Sequence, residues 1–250
     1  MESDVELASR LASEAGELLL GLRGAFSGDQ KELANQGDTR AHHHIVSELK
    51  RLRSSDAVIS EEDTEGSRPW PRPDRQWLVD PLDGSREYSE NRNDFAVHVA
   101  LVIGGVAKIA AVALPGDGLV LTTADEFEEP GVTEEPIRML VSRTRPPAEA
   151  TALADLLSAQ LVPMGSAGAK TVAVVRGLGD VYLHAGGQYE WDSAAPVAVA
   201  VAAGMHASRI DGSPIRYGER DPWLPDLLVC RPDLTDRIFQ GLETIRSSSS

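Results

Sequence analysis

The sequence is short of cysteine and of positive charge. Its one cysteine, Cys230, excludes an internal disulfide and a zinc site built from cysteines. There are 24 Lys and Arg against 39 Asp and Glu, a formal net charge of −15, which argues against a surface that binds nucleic acid or an anionic membrane. A phosphate substrate would also be repelled, unless bound cations reverse the local charge.

Long apolar runs are missing as well. The sequence has no stretch of 18 apolar residues and no positively charged start followed by an apolar segment, so it predicts neither a membrane span nor an export signal, and we expect a cytoplasmic protein. It has no internal repeat. An apolar fraction of 42% over 250 residues is typical of a soluble protein with a large core.

One short stretch, WLVDPLDGSREY at residues 77–88, concentrates the polar chemistry. A short apolar run that ends at Asp80 predicts a buried strand, and Asp80 and Asp83 follow in one turn. Two carboxylates in a turn could hold cations, and the backbone at Gly84 could approach an anion. By itself the stretch could equally be an ordinary surface turn.

The first half of the chain predicts helices and a largely antiparallel sheet, an α+β arrangement. A helix is predicted over residues 4–25 and a second after Asp38, which is a plausible N-cap. Strands are predicted at 57–60, 76–80, 95–103, 106–114 and 119–124, with a surface loop over 64–75.

The second half alternates strands and helices, with short strands predicted at 138–141, 161–164, 180–184, 206–210 and 227–230 and helices at 148–160, 165–178 and 194–203. Because residues 125–136 are acidic and interrupted by Pro and Gly, we place a boundary there. The predicted units are an N-terminal subdomain over 1–130, a C-terminal subdomain over 131–246 and a disordered tail over 247–250.

The sequence SEED at 60–63, the stretch 77–88 and EWDSAAP at 190–196 together resemble the inositol monophosphatase superfamily of magnesium-dependent, lithium-sensitive phosphatases. The order and spacing match across nearly the whole chain. REY after DGS, SRTR at 142–145 and GSAGAK at 165–170 are most similar to the CysQ-type 3′(2′),5′-bisphosphate nucleotidases. The resemblance implies a layered αβαβα sugar-phosphatase fold and admits a homodimer.

The resemblance also implies a metal site of hard oxygen ligands, the type that Mg²⁺ prefers. Glu61, Asp80 and the carbonyl of Leu82 would hold one ion, and Asp80 would bridge to a second held by Asp83 and Asp192. Two or three magnesium ions are expected, with no covalent phosphoenzyme. Two ions about 4 Å apart can activate a water and neutralise the leaving alkoxide.

Three residues are expected to be catalytic through the resemblance: Asp38, Glu61 and Ser85. Asp38 would lie near the attacking water, which its interpretation as an N-cap does not exclude. The tract His42 to His44 is not expected to bind a metal, because consecutive helical side chains point about 100° apart.

The expected substrate contacts are Gly84, Ser85, Arg86, Ser142, Arg143, Gly165, Ser166, Gly168, Lys170 and Asp192, with Arg145 as a further cation. The charged members could instead be ordinary surface residues.

GSAGAK lacks the Gly before Lys of a nucleotide-triphosphate loop. Inositol phosphatases carry a Glu for sugar hydroxyls where this chain has Ala185, so a second phosphate is the expected specificity group.

The expected function is hydrolysis of the 3′-phosphate of adenosine 3′,5′-bisphosphate to AMP, and of its 5′-phosphosulfate analogue, in sulfur assimilation. An inositol monophosphatase or a fructose-1,6-bisphosphatase-like sugar phosphatase is the alternative within the same class. A catalytically silent protein that binds phosphate or metal is the alternative outside it.

Overall fold

The computed structural model describes residues 2–63 and 73–248. Its α-helices are α1 (Asp4–Ala25), α2 (Gln30–Leu52), α3 (Ser85–Ser89), α4 (Ala148–Leu157), α5 (Ala167–Val175), α6 (Glu190–Ala202) and α7 (Thr235–Ser248). Its strands are β1 (Ala57–Ser60), β2 (Arg75–Asp83), β3 (Ala96–Ile103), β4 (Val106–Leu114), β5 (Leu119–Thr122), β6 (Arg138–Ser142), β7 (Gln160–Met164), β8 (Val181–Tyr189), β9 (His206–Ser208) and β10 (Trp223–Cys230). Among these helices none has the length and apolar character that a membrane span requires.

The strands form two five-stranded sheets. The first has the order β1-β2-β3-β4-β5, in which β1 and β2 are parallel and the other neighbours antiparallel. The second has the order β7-β6-β8-β10-β9, with β6 parallel to β7 and β8, and β10 antiparallel to β8 and β9. The predicted α+β class is therefore confirmed, with parallel and antiparallel pairs in both sheets.

Helices and sheets stack in five layers that are joined by four apolar clusters. Helices α1 and α2 cover the outer face of the first sheet, and α5 and α6 fill the space between its inner face and the second sheet. Helices α4 and α7 cover the far face of the second sheet. This is the expected αβαβα order, in which every sheet face buries its apolar residues against helices.

Helix α2 begins earlier than predicted. Asp29, not Asp38, is its N-cap and accepts a hydrogen bond from the Glu32 amide at 2.9 Å. Gly37, which precedes the predicted start, lies inside the helix, where an added Cβ would be 3.0 Å from the ring of Tyr88. The prediction of an N-cap at Asp38 is therefore wrong, because close packing at Gly37 and the buried Leu33 stabilise an additional two turns.

The sequence analysis did not predict helices α3 and α7, and part of the predicted disordered tail is helical. Helix α3 follows the acidic turn directly, and α7 packs against α4 through residues that include Ile238 and Leu242. Ser247 and Ser248 belong to α7, so the predicted disorder is wrong for these two, and 249–250 lie outside the described residues. Most of the predicted loop over 64–75 also lies outside them.

Candidate active site

The end of β2 brings Asp80 and Asp83 together by an irregular turn. The register against β3 shifts between Asp80, which pairs with His98, and Asp83, which pairs with Ala96. Asp80 Oδ1 accepts the Leu82 amide at 3.0 Å, which fixes the side chain over its own backbone. Gly84 then adopts φ 87°, a left-handed conformation that favours glycine, and begins α3.

Asp83 lies at the N-terminus of α5. Its Oδ2 accepts hydrogen bonds from the Gly168 amide at 2.7 Å and from the Ser166 hydroxyl at 2.5 Å. Burial by itself would raise the pKa of Asp83, but these donors and the neighbouring His98 ring lower it to about 2. Ser166 and Gly168, expected to contact substrate, thus donate in this structure to a carboxylate of the chain itself.

Two more carboxylates, Glu61 and Asp192, lie close to Asp80 and Asp83. Asp80 is fully buried, and burial together with Glu61, Asp83 and Asp192 raises its pKa well above the usual value. Burial and the charge of Asp83 raise the pKa of Asp192 to about 7. Partial desolvation raises the pKa of Glu61 as well, against a hydrogen bond with Asp80 that lowers it. These carboxylates come from separate segments of the sequence and lie close enough together to raise one another's pKa.

Asp38 faces the same site from the middle of α2. Its Oδ1 is buried without a hydrogen-bond partner among the described residues. Burial, with smaller effects from Glu61 and Glu62, raises its pKa to about 8. A buried carboxylate oxygen without a donor is costly in an apo protein, so this position suits a cation or a water that a cation holds.

His98 belongs to the site and was not predicted. Its side chain is fully buried, with Nε2 at 3.3 Å from Asp83 Oδ2 and Nδ1 at 3.2 Å from the carbonyl of Trp191. The alternation of β3 predicts that every second side chain is apolar and faces the core. His98 is the one histidine among the side chains between them, and it pairs with Asp80 at the acidic end of β2, so its position in the sequence could have indicated its place in the site.

The predicted cationic residues have different environments. Arg143 forms ion pairs with Glu87 at 3.1 Å and Glu90 at 2.5 Å. Lys170 is buried, and its Nζ donates to the carbonyls of Gly165 at 3.1 Å and Ser166 at 2.5 Å. Burial lowers the pKa of Lys170 to about 8. Lys170 therefore holds the turn before α5 and does not reach into solvent.

Other predicted substrate residues remain open to solvent. Arg145 is exposed, and its amide donates to the Ser142 hydroxyl at 3.2 Å. Ser85 is half-buried at the start of α3, and the exposed Arg86 pairs with Glu90 at 3.4 Å. Gly165 differs from these, since its amide donates to Asp94 at 2.7 Å.

Within the histidine tract, His42 and His44 have different hydrogen-bond partners. His42 Nδ1 is 2.9 Å from the Ser60 hydroxyl, and His44 Nε2 is 2.9 Å from Glu14. The two rings thus point to different partners and do not converge on one point.

The carboxylate oxygens of this site are ligands that a hard divalent cation prefers, but they are not arranged around one common point. Over residues 2–63 and 73–248, no three His, Cys, Asp or Glu side chains form a ready-made metal cluster. Asp80, Asp83 and Asp192 each commit one oxygen to hydrogen bonds that orient the carboxylate, as is usual around metal ligands. A cation bound among these side chains would relieve their repulsion.

The five-layered α+β fold places carboxylates at the end of a strand and at the starts of two helices, and such oxygen donors suit the metal-dependent chemistry of phosphate esters. The sequence model of the inositol monophosphatase family matches residues 1–246. The chain belongs to the inositol monophosphatase family, which confirms the resemblance of its motifs.

Curated relatives agree with this placement. A 3′-phosphoadenosine 5′-phosphate phosphatase of Mycobacterium leprae is 47% identical over 93% of this chain and 90% of its own length. One of Mycobacterium bovis is 48% identical over 88% of this chain and 86% of its length.

Solved structures show the same fold. The crystal structure of CysQ from Bacteroides thetaiotaomicron has a TM-score of 0.78 at 26% identity and covers 92% of this chain and 98% of its own. The crystal structure of inositol monophosphate-bound SaIMPase-II has a TM-score of 0.80 at 16% identity, over 97% of this chain and 94% of that one, which shows the fold alone.

Proposed function

We propose that this protein is a magnesium-dependent phosphatase that hydrolyses the 3′-phosphate of adenosine 3′,5′-bisphosphate to give AMP. The observation that carries the proposal is that Asp80, Asp83 and Asp192 lie together in a desolvated place, where burial and, after it, their mutual repulsion raise the pKa of Asp80 and Asp192. The names of the relatives at 47–48% identity support the choice of substrate. The 5′-phosphosulfate analogue and a role in sulfur assimilation belong to the same proposal.

Magnesium supplies a metal-activated water and neutralisation of the leaving oxygen when it is bound. The residues that would hold it are Glu61, Asp80, Asp83, Asp192 and the carbonyl of Leu82. Lithium sensitivity is proposed with the magnesium site.

The chain's own residues would position the substrate. Ser85 begins α3 directly after the end of β2, so its hydroxyl and the first amides of this helix would be the donors to the transferring phosphate. Asp38, whose buried Oδ1 has no hydrogen-bond partner among the described residues, would be the group that accepts a proton from the attacking water.

Of the three candidate cations for the second phosphate, Arg145 is the best placed. Arg143 is held by two glutamates and Lys170 by backbone carbonyls. Arg145 is exposed and close enough to His184 of β8 to affect its pKa. A guanidinium in this position can bind a phosphate through two parallel hydrogen bonds.

A panel of phosphate esters tests the function. With magnesium, we expect adenosine 3′,5′-bisphosphate to have a higher kcat/KM than inositol 1-phosphate, fructose 1,6-bisphosphate or 3′-AMP. Arg145→Ala should raise KM for the bisphosphate about tenfold, with little change for 3′-AMP, because only the distant phosphate loses a contact. Arg176→Ala, at a surface pair with Asp117, is the matched control.

Two outcomes would overturn the proposal. Preference for inositol 1-phosphate or for fructose 1,6-bisphosphate would replace it with the sugar-phosphate alternative. Absence of hydrolysis for every ester with magnesium would indicate a silent binding protein.

A further inference from the structure

Two large aromatic side chains remain exposed beside the carboxylate site. Tyr189 and Trp223 are 44% and 45% exposed, although each belongs to an ordered strand. They are opposite one another in the antiparallel pair of β8 and β10. Exposed rings of this size beside a polar site are typical of a ligand contact.

The rings form one assembly with the buried Trp191. Tyr189 stacks on Trp191 with ring centroids 4.9 Å apart and planes 12° from parallel, and Trp223 meets Tyr189 edge-on at 5.5 Å. One face of Tyr189 is therefore covered by Trp191. The exposure of Tyr189 and Trp223 leaves aromatic surface that nothing in the described chain covers fully.

The assembly is tied directly to the carboxylate site. The Tyr189 amide donates to Asp192 Oδ2 at 2.6 Å, so the ring and the carboxylate share one helix start. The carbonyl of Trp191 accepts from His98, whose other nitrogen lies beside Asp83. A flat group on these rings would be held at a fixed place relative to the site.

The backbone is shaped to hold Trp223 in this position. An added Cβ on Gly187 would be 1.6 Å from the Trp223 ring, so the indole packs directly against the backbone of β8 where only glycine leaves room for it. The preceding residue Pro222 accepts the Glu190 amide at 2.9 Å, and the Glu190 carboxylate accepts the Glu219 amide at 3.0 Å. The segment that carries Trp223 is thereby attached to the start of α6.

We propose that Trp223 and Tyr189 form a stacking surface for the nucleobase of a nucleoside bisphosphate. The inference rests on the proposed function, and it names residues that select a nucleotide over a sugar phosphate. Stacking on an aromatic ring accepts any base, because every base has a π-face. The surface therefore selects for the presence of a base and discriminates little between adenine and guanine.

The test compares adenosine 3′,5′-bisphosphate with ribose 3,5-bisphosphate, which lacks the base. Trp223→Leu should raise KM for the nucleotide about tenfold, the factor equal to about 1.4 kcal/mol of stacking, so that the kcat/KM ratio of the two substrates falls about tenfold. Trp223→Phe, which retains a ring, should keep most of the ratio, and Tyr189→Leu should lower it. Val201→Ala, at an exposed apolar position of α6, is the control.

A second measurement uses the unmodified protein. In chelator, AMP should quench the tryptophan fluorescence at lower concentration than ribose 5-phosphate does. Equal quenching, or an unchanged substrate ratio in a folded Trp223→Leu, contradicts the stacking surface while leaving the phosphatase proposal standing. Failure of wild type to hydrolyse adenosine 3′,5′-bisphosphate rejects the proposed function, and stronger quenching by AMP would still support the base contact.

Discussion

At the scale of single residues, Asp83 connects the acidic turn with the start of α5. Its carboxylate receives a hydroxyl and an amide donor and faces the buried His98. An aspartate whose pKa is lowered in the folded state stabilises the fold at pH values above its unfolded pKa, near 4, and loses this contribution as pH falls towards about 2. Asp83 is thus expected to serve both stability and metal binding.

Replacing Asp83 with Asn separates these two contributions. Asp83→Asn should reduce turnover with magnesium to less than about a tenth of wild type, since one charged metal ligand is lost. In chelator at pH 7 it should lower the free energy of unfolding by about 2 kcal/mol, from the lowered pKa. Activity assays, far-UV dichroism and urea unfolding measure both effects.

Two results would contradict the prediction for Asp83→Asn. A variant with normal dichroism that keeps more than about a tenth of the activity would remove Asp83 from the metal site. An unchanged unfolding free energy would mean that the hydrogen bonds of Ser166 and Gly168 work equally well on a neutral amide.

At the scale of elements, the site depends on close contact between α5 and β3. An added Cβ at Gly168 would be 2.1 Å from His98 Nε2 and 3.0 Å from Ala96. His98 is fully buried and hydrogen-bonded to Trp191, so it has little room to move. A glycine at this position is required for the amide of residue 168 to reach Asp83.

A pair of glycine substitutions tests this contact. Gly168→Ala should destabilise the protein by about 1–3 kcal/mol and lower kcat, because overpacking moves the start of α5 away from Asp83. Gly21→Ala is the matched control, because an added Cβ on this helical glycine has no neighbour within 4 Å. It should stabilise the protein by about 0.5–1 kcal/mol and leave kcat unchanged. Equal effects of the two substitutions on thermal unfolding and turnover would contradict the packing argument.

At the scale of the whole molecule, the fold collects carboxylates that repel one another. Glu61, Asp80 and Asp83 come from the first sheet, Asp38 from an outer helix and Asp192 from the middle layer. Carboxylates with raised folded pKa bind more protons in the folded state than in the unfolded state. Their contribution to stability therefore falls as pH rises from about 4 through about 8.

Bound magnesium should offset the unfavourable free energy of carboxylate repulsion, which grows as pH rises. At about one hundred times its dissociation constant a ligand adds about 2.7 kcal/mol, or roughly 5–10 °C in Tm for a chain of this length. We expect the difference in Tm between magnesium and chelator to be larger at pH 8.5 than at pH 6, since protons compete with the cation at Asp38 and Asp192. Thermal melts at both pH values measure it, and an equal or absent difference would count against a metal site at these carboxylates.

The sequence determined much of this arrangement. Apolar periodicity located α1, and alternation with glycine turns located the β3–β4–β5 meander. The sequence also placed Asp80, Asp83 and Asp192 at the ends of strands or helices, because polar residues that interrupt an apolar pattern can be recognised from the sequence alone. It failed at α2, where a helix continued through Gly37 because of packing against Tyr88.

Only the tertiary structure decided which groups meet. Lys170 has the sequence context of a surface cation, yet it is buried on the carbonyls of its own turn. His98 lies in an ordinary strand pattern, and the register of β2 with β3 brings it to Asp80 and Asp83. Trp223 and Tyr189 are distant in sequence and become one surface through the pairing of β8 with β10. Local propensity depends on near neighbours, whereas burial, pKa and ring contacts depend on strands and helices that are far apart along the chain.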